Sequence, residues 1–98
     1  MSKVWKARKR DVFRDLWFDP AESENLRIKA DLMIELTELI EKRGWTQTEA
    51  ATIMEVTQPR VSNLVRGRID LFSIDTLIAM LDRAGVGVEV TTSPREVA

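Results

Sequence analysis

Residues 46–67 read TQTEAATIMEVTQPRVSNLVRG, and this stretch decides the fold. It begins with a capping box, because Thr46 is followed three residues later by Glu49 and each side chain can accept a hydrogen bond from the other's backbone amide. A short helix is therefore predicted to start there. Residues 55–57 interrupt its apolar pattern, and a second helix is predicted over 58–67.

The second of these helices has one apolar and one polar face. Val61, Leu64 and Val65 lie at positions i, i+3 and i+4, so they are predicted to be buried together. Ala51 on the preceding helix is the small residue that lets two helix axes come close. At ~100° per residue, the opposite face carries Pro59, Ser62, Asn63 and Arg66, with Gln58 at the N-terminal end. This arrangement predicts a helix-turn-helix over 47–66.

The polar residue types on that face suit contacts with double-stranded DNA. Gln and Asn amides can bond N6 and N7 of adenine together, and an Arg guanidinium can bond O6 and N7 of guanine. We therefore predict base contacts from Gln58, Asn63 and Arg66. Contacts with the phosphate backbone are predicted for Gln47, Thr57, Arg60, Ser62 and Arg68. For Gln58, Asn63 and Arg66 the alternative is a solvated helix face, and Gln47 could instead be merely the second residue of the capping box.

Helix signals continue on both sides of this stretch. A long first helix is predicted over 20–43 and a last helix over 74–84. Within the stretch, either Thr57 or Gln58 is the cap of the second helix, because Pro59 biases the residue before it away from the helical region.

The last apolar segment has a different period. Val86, Val88 and Val90 alternate with other residues, which predicts a short strand over 86–92. A lone strand is not stable in water. It would have to pair with the same strand of a second copy, with the N-terminal arm, or with another protein.

The composition argues against catalysis. The chain has 98 residues with no Cys and no His, so it lacks thiolate nucleophiles, imidazole bases and nearly every zinc ligand set. Its carboxylates show neither a metal-binding spacing nor a phosphate-binding loop. We expect no enzymatic activity, no cofactor and no metal. No apolar run approaches the ~20 residues of a membrane span, and a cytoplasmic location is expected.

The N-terminal arm is unusual in charge and in aromatic content. The net charge is −1, yet residues 1–14 hold six Lys or Arg against one Asp, which indicates separate surfaces for separate partners. Most of the aromatic residues also lie in this arm: Trp5, Phe13, Trp17 and Phe18. They are expected either to pack back on the helices or to form an adhesive patch for a partner.

These patterns predict an all-α fold with a short C-terminal β-strand. Four segments are expected. They are a basic and aromatic arm (1–19), a helical DNA-binding domain with the helix-turn-helix (20–85), a strand (86–92) and a tail (93–98).

The spacing of Gln47, Ala51, Val61 and Leu64 resembles that of Cro/repressor-type (XRE) helix-turn-helix proteins. The stretches TQTEAA and TQPRVSNLVRG are especially similar to one branch of that family, the HigA-like antitoxins. The segment 11–16 together with Phe18 resembles the N-terminal signature of this branch, and Phe72-Ser73 with the strand 86–90 matches its C-terminal end. The likeness therefore covers residues 11–92.

This resemblance implies a lambda-repressor-like helical bundle. It also implies a homodimer that binds a palindromic operator and represses its own operon. The HigA-like branch further implies a RelE-fold (HigB-like) ribonuclease toxin that the antitoxin holds inactive, and the aromatic side chains of the arm are candidate toxin contacts.

Two residues depart from the family pattern. Glu55 and Trp17 stand where Gly is common, and a left-handed turn at Glu55 is expected to survive at a cost of ~1 kcal/mol. Two other functions remain open. One is a stand-alone XRE regulator of phage or plasmid type without a toxin, and the other is a helical adaptor whose helix-turn-helix only supports protein contacts.

Overall fold

A computed structural model describes residues 20–94, which form four α-helices and one 3-10 helix. The α-helices are α1 Pro20–Arg43, α2 Gln47–Met54, α3 Gln58–Val65 and α4 Ile74–Arg83, and the 3-10 helix is Ile69–Leu71. The helices predicted from the sequence are therefore confirmed. None of the helices in this part of the chain is long and apolar enough to cross a membrane. The same residues contain no cluster of side chains able to hold a metal ion.

The hydrophobic core lies between α1 and the other three helices. Helix α1 packs mainly on α4, while α2 packs on both α3 and α4. Met33, Leu36 and Ile40 form the buried face of α1. The largest fully buried side chains come from all four helices: Leu36, Met54, Val61, Leu64, Leu77, Met80 and Leu81. The helix-turn-helix is thus held by the same core as the rest of the domain.

Each of these α-helices is followed by a residue in the left-handed backbone conformation. These residues are Gly44, Glu55, Gly67 and Gly85. The amide of the next residue then donates to the carbonyl five residues before it, which is the hydrogen bond of the Schellman motif. The four bonds, 2.9 to 3.1 Å long, are Trp45–Ile40, Val56–Ala51, Arg68–Asn63 and Val86–Leu81. Gly is favoured at such positions because it has no Cβ, so Glu55 is the exception.

One residue of the predicted buried stripe is exposed. Val65 keeps 42% of its surface accessible, whereas Val61 and Leu64 are buried. At ~100° per residue, Val65 lies about 70° from the centre of the face that the other two form. It lines an open groove between α1 and α3 together with Ile34. The prediction that Val65 belongs to the core is therefore wrong.

The C-terminal segment forms no strand within the described residues. Val86 and Val88 are half-buried against the core, and Val90 is 78% exposed. A strand needs a neighbouring strand to bond its amides and carbonyls, and residues 20–94 offer none. The strand over 86–92 stays a prediction that requires a partner.

Two predicted segments lie outside the described residues. The first is the arm, 1–19, with its candidate toxin contacts Trp5, Phe13, Trp17 and Phe18. The second is the end of the tail, 95–98. The departure from the family pattern at Trp17 falls in the first of these segments.

The left-handed turn at Glu55 can be tested with two substitutions. Glu55→Gly and Glu55→Ala both remove the ion pair with Arg83, whose Nε lies 3.6 Å from the carboxylate. Only Glu55→Gly also removes the strain that a Cβ causes in the left-handed conformation. The free energy of unfolding of the Gly variant should therefore exceed that of the Ala variant by about 1 kcal/mol. Urea denaturation of both variants measures the difference. Equal stabilities would show that the turn is not strained.

Candidate nucleic-acid interface

The start of α2 is fixed by the predicted capping box. The Glu49 amide donates to Thr46 Oγ1 at 3.1 Å, and the Thr46 amide donates to the Glu49 carboxylate at 2.9 Å. Both bonds satisfy amides that the first helical turn would otherwise leave unpaired. Gln47 is consequently held as the first residue of α2.

The turn between α2 and α3 is closed by backbone hydrogen bonds. The Val56 amide donates to the Ala51 carbonyl at 3.0 Å, and Glu55 has φ 59° and ψ 45°. The departure from Gly at Glu55 therefore leaves the geometry of the turn intact. Ala51, 6% exposed, lies in the core cluster beside Val61, as a helix-turn-helix requires.

Arg83, at the end of α4, contacts this turn through its side chain. Its Nη1 donates to the Met54 carbonyl at 3.4 Å. That carbonyl belongs to the last turn of α2, where carbonyls have no partner within the helix. Sequence reasoning missed Arg83, because no motif links it to a helix end 29 residues earlier.

Thr57 is the cap of α3, which decides between the two predicted caps. Thr57 Oγ1 accepts from the Arg60 amide at 3.3 Å. Pro59 lies in the first turn of α3, where a missing amide costs little. The first residue of α3 is therefore Gln58.

The first residues of α2 and α3 are joined by their side chains. Gln58 Nε2 donates to Gln47 Oε1 at 2.6 Å, although the two residues are 11 positions apart. The packing of α2 on α3 therefore brings the two helix N-termini together at one surface. Both side-chain amides have polar atoms left to bond a ligand there.

The other predicted DNA contacts divide by exposure. Asn63 and Ser62 are half-buried, whereas Arg66 and Arg68 are exposed. The Arg68 guanidinium lies 4.0 Å from the Asp70 carboxylate, and both side chains are solvated. Such an exposed pair is weak, so Arg68 can exchange it for a phosphate.

Arg60 differs from the other predicted contacts. It is half-buried, and its guanidinium carbon lies 4.8 Å from the ring centroid of Phe72. Its Nη1 donates to the Leu71 carbonyl at 3.2 Å. The sequence did not indicate these partners, which lie after α3 in the chain.

Comparison with known proteins identifies the family. A family model described as a helix-turn-helix domain matches residues 12–93. The chain belongs to this helix-turn-helix family. A solved structure named "Putative XRE Family Transcriptional Regulator" is 28% identical to it, with a TM-score of 0.70, and the match covers 79% of this chain and 89% of that chain. No curated protein matches the chain.

These findings support a DNA-binding transcriptional regulator of the XRE type. The predicted resemblance is therefore confirmed at the level of the XRE helix-turn-helix family. In helix-turn-helix proteins the first helix of the motif braces the second, which enters the major groove. The corresponding helices here are α2 and α3. Family membership also agrees with a binding role rather than a catalytic one.

The orientation of α3 in this helix-turn-helix can be tested with two neighbouring residues. Leu64→Ala removes a side chain that is 1% exposed and should lower the free energy of unfolding by about 2–5 kcal/mol. Val65→Ala, at an exposed position, is the matched control and should change it by less than about 0.5 kcal/mol. Thermal or urea unfolding measures both values. A large loss at Val65 instead would mean that α3 is rotated relative to the core.

Proposed function

We propose that this helix-turn-helix protein is a sequence-specific repressor that reads a palindromic operator with α3. We further propose that it is the antitoxin of a HigBA-type operon, where it represses its own promoter and neutralises a RelE-fold ribonuclease. The observation that carries the DNA-reading role is the hydrogen bond between Gln47 and Gln58.

This hydrogen bond prepares Gln58 to bind adenine. One Nε2 hydrogen of Gln58 goes to Gln47, which leaves the other hydrogen and Oε1 for a ligand. Adenine presents an acceptor at N7 beside a donor at N6 in the major groove. A side chain that is already held in place also loses less conformational entropy on binding. Gln47 thus acts on base recognition through Gln58, and its own Nε2 remains able to bond a phosphate.

The remaining contacts follow from position on α3. Arg66 and Asn63 lie on the face opposite Val61 and Leu64, so they are the further base-reading candidates. Thr57 uses its oxygen to accept from a backbone amide, and its hydroxyl proton remains available for a phosphate oxygen. Ser62 and Arg68 flank this face and are the other backbone candidates.

The operator role is tested by binding to the DNA directly upstream of the gene. The wild-type protein should bind it in a gel shift that weakens with salt, and it should bind a scrambled duplex of equal composition far less tightly. Gln58→Ala should lose about 1–3 kcal/mol of discrimination at one base pair in each half-site. Because Gln47 acts through Gln58, the double variant Gln47→Ala/Gln58→Ala should lose little more base-pair discrimination than Gln58→Ala alone.

Two results would contradict this reading. Equal affinity for upstream and scrambled DNA would remove the operator role. Additive losses of base-pair discrimination from Gln47→Ala and Gln58→Ala would show that the two side chains recognise bases independently.

A palindromic operator calls for a symmetric dimer, since two recognition helices must lie about one helical turn, ~34 Å, apart. We place the candidate dimer interface at Val86, Val88 and Val90. Val90 is 78% exposed and follows two valines that pack on the core, so a strand here could extend outward to a second copy. Pairing with the arm of the same chain is the competing arrangement.

Truncation after Val88 tests this candidate dimer interface. It keeps Val86 and Val88, which pack on the core, so the helical signal in circular dichroism should be preserved. The sedimentation coefficient should fall toward that of a monomer, because the exposed part of the strand is lost. An unaltered sedimentation coefficient would exclude this segment as the dimer interface.

The antitoxin role is supported by the likeness of residues 46–67 to HigA-like antitoxins. A stand-alone XRE regulator is the second candidate. A neighbouring open reading frame that encodes a RelE-fold ribonuclease, and restored growth when both proteins are produced together, would favour the antitoxin. Absence of such a gene would favour the stand-alone regulator. If the wild-type protein binds no DNA, the remaining candidate function is a helical adaptor for protein contacts.

A further inference from the structure

Arg60 lies on α3 but makes its contacts with the segment that follows the helix. Its guanidinium stacks on the ring of Phe72, 4.8 Å from the centroid, and donates to the Leu71 carbonyl at 3.2 Å. Phe72 is only 2% exposed and belongs to the hydrophobic core. The stacked ring is therefore anchored in the core, whereas the hydrogen bond goes to the backbone of Leu71, whose side chain is 39% exposed.

These two contacts join the recognition helix to its exit segment, 66–72. Arg66 and Arg68, both exposed, lie in that segment. The 3-10 helix Ile69–Leu71 is closed by the Leu71 amide, which donates to the Arg68 carbonyl at 3.1 Å. The contacts of Arg60 therefore restrain the 3-10 turn that begins at Arg68, whereas Arg66 follows α3 directly and its amide donates to the Ser62 carbonyl at 3.0 Å.

The same contacts restrict Arg60 as a phosphate ligand. They occupy one face of its guanidinium and one N–H of Nη1, so a phosphate could bind without breaking them only within reach of the remaining N–H groups. Arg68 has no such restraint, since its pair with Asp70 is 4.0 Å long and solvated. A planar guanidinium also stacks and hydrogen-bonds in a way that a Lys ammonium does not reproduce.

We infer that Arg60 is a positioning residue for DNA binding, which holds the segment after α3 against that helix so that Arg68 reaches the DNA. This inference rests on the proposed DNA-reading function. It differs from the sequence-based prediction, in which Arg60 itself neutralises a phosphate.

The test compares Lys and Met at positions 60 and 68 in the full-length protein. The probe is a duplex of about 30 base pairs that the wild-type protein selects from a random pool. Arg60→Lys keeps the charge but should lower the affinity for this duplex about tenfold. Arg60→Met should lower the affinity by a similar factor, without changing the slope of the logarithm of the association constant against the logarithm of the salt concentration. Arg68→Lys should bind nearly as the wild type, and Arg68→Met should reduce the slope by about 0.9.

A second measurement tests whether Phe72 is the anchor. Phe72→Leu keeps an apolar side chain in the core but removes the ring. In that background, Arg60→Lys should cost less affinity than it does in the wild type. All affinities are measured below the onset of unfolding, so that each variant is fully folded.

Three results would overturn the inference. Wild-type affinity of Arg60→Lys, with a reduced salt slope for Arg60→Met, would make Arg60 a phosphate contact. Lower thermal stability with unchanged affinity would make its role purely structural. Failure of the wild-type protein to select any DNA sequence would refute the proposed function itself, and the inference with it.

Discussion

The hydrogen bond from the Val56 amide to the Ala51 carbonyl, 3.0 Å long, closes the turn between α2 and α3. It forms because Glu55 adopts the left-handed conformation that Gly adopts after the other three helices. The small Ala51 and the buried Val61 then share one core cluster. The direction of α3 follows from this turn, and the proposed base contacts Gln58, Asn63 and Arg66 take their positions from α3.

The pairing of Gln47 with Gln58 depends directly on that turn. Each glutamine is the first residue of its helix, where Thr46 and Thr57 supply the caps. The caps fix the backbone of each residue, and the packing of α2 on α3 brings the two side chains within 2.6 Å. These two side chains are therefore held in place within the protein itself, and under the proposed function this reduces the entropy lost on binding DNA.

Two arginines connect the helix-turn-helix to the rest of the domain. Arg83 on α4 donates to the Met54 carbonyl at the end of α2, and Arg60 on α3 stacks on Phe72 beyond its end. Since α4 and Phe72 are both part of the core, the turn and the exit from α3 are restrained separately. A regulator that reads base edges benefits from both restraints, because hydrogen bonds to bases tolerate little displacement.

The sequence by itself determined the helices, the cap of α2 and the polar face of α3. Those features depend on neighbours within about four residues, so Thr46, Glu49 and Gly67 could be interpreted without a structure. The helix-turn-helix itself could also be predicted, because Ala51, Val61 and Leu64 keep a fixed spacing. The exposure of Val65 could not, since the position of α1 beside α3 decides which edge of a short helix is covered.

Only the tertiary structure decided which polar side chains contact each other and which contact the core. It joined Gln47 to Gln58 and directed Arg60 toward Phe72 instead of solvent. It also placed Arg83 against the turn. These partners lie 11 to 29 residues apart, and contacts at that separation depend on how helices pack, which no local pattern encodes.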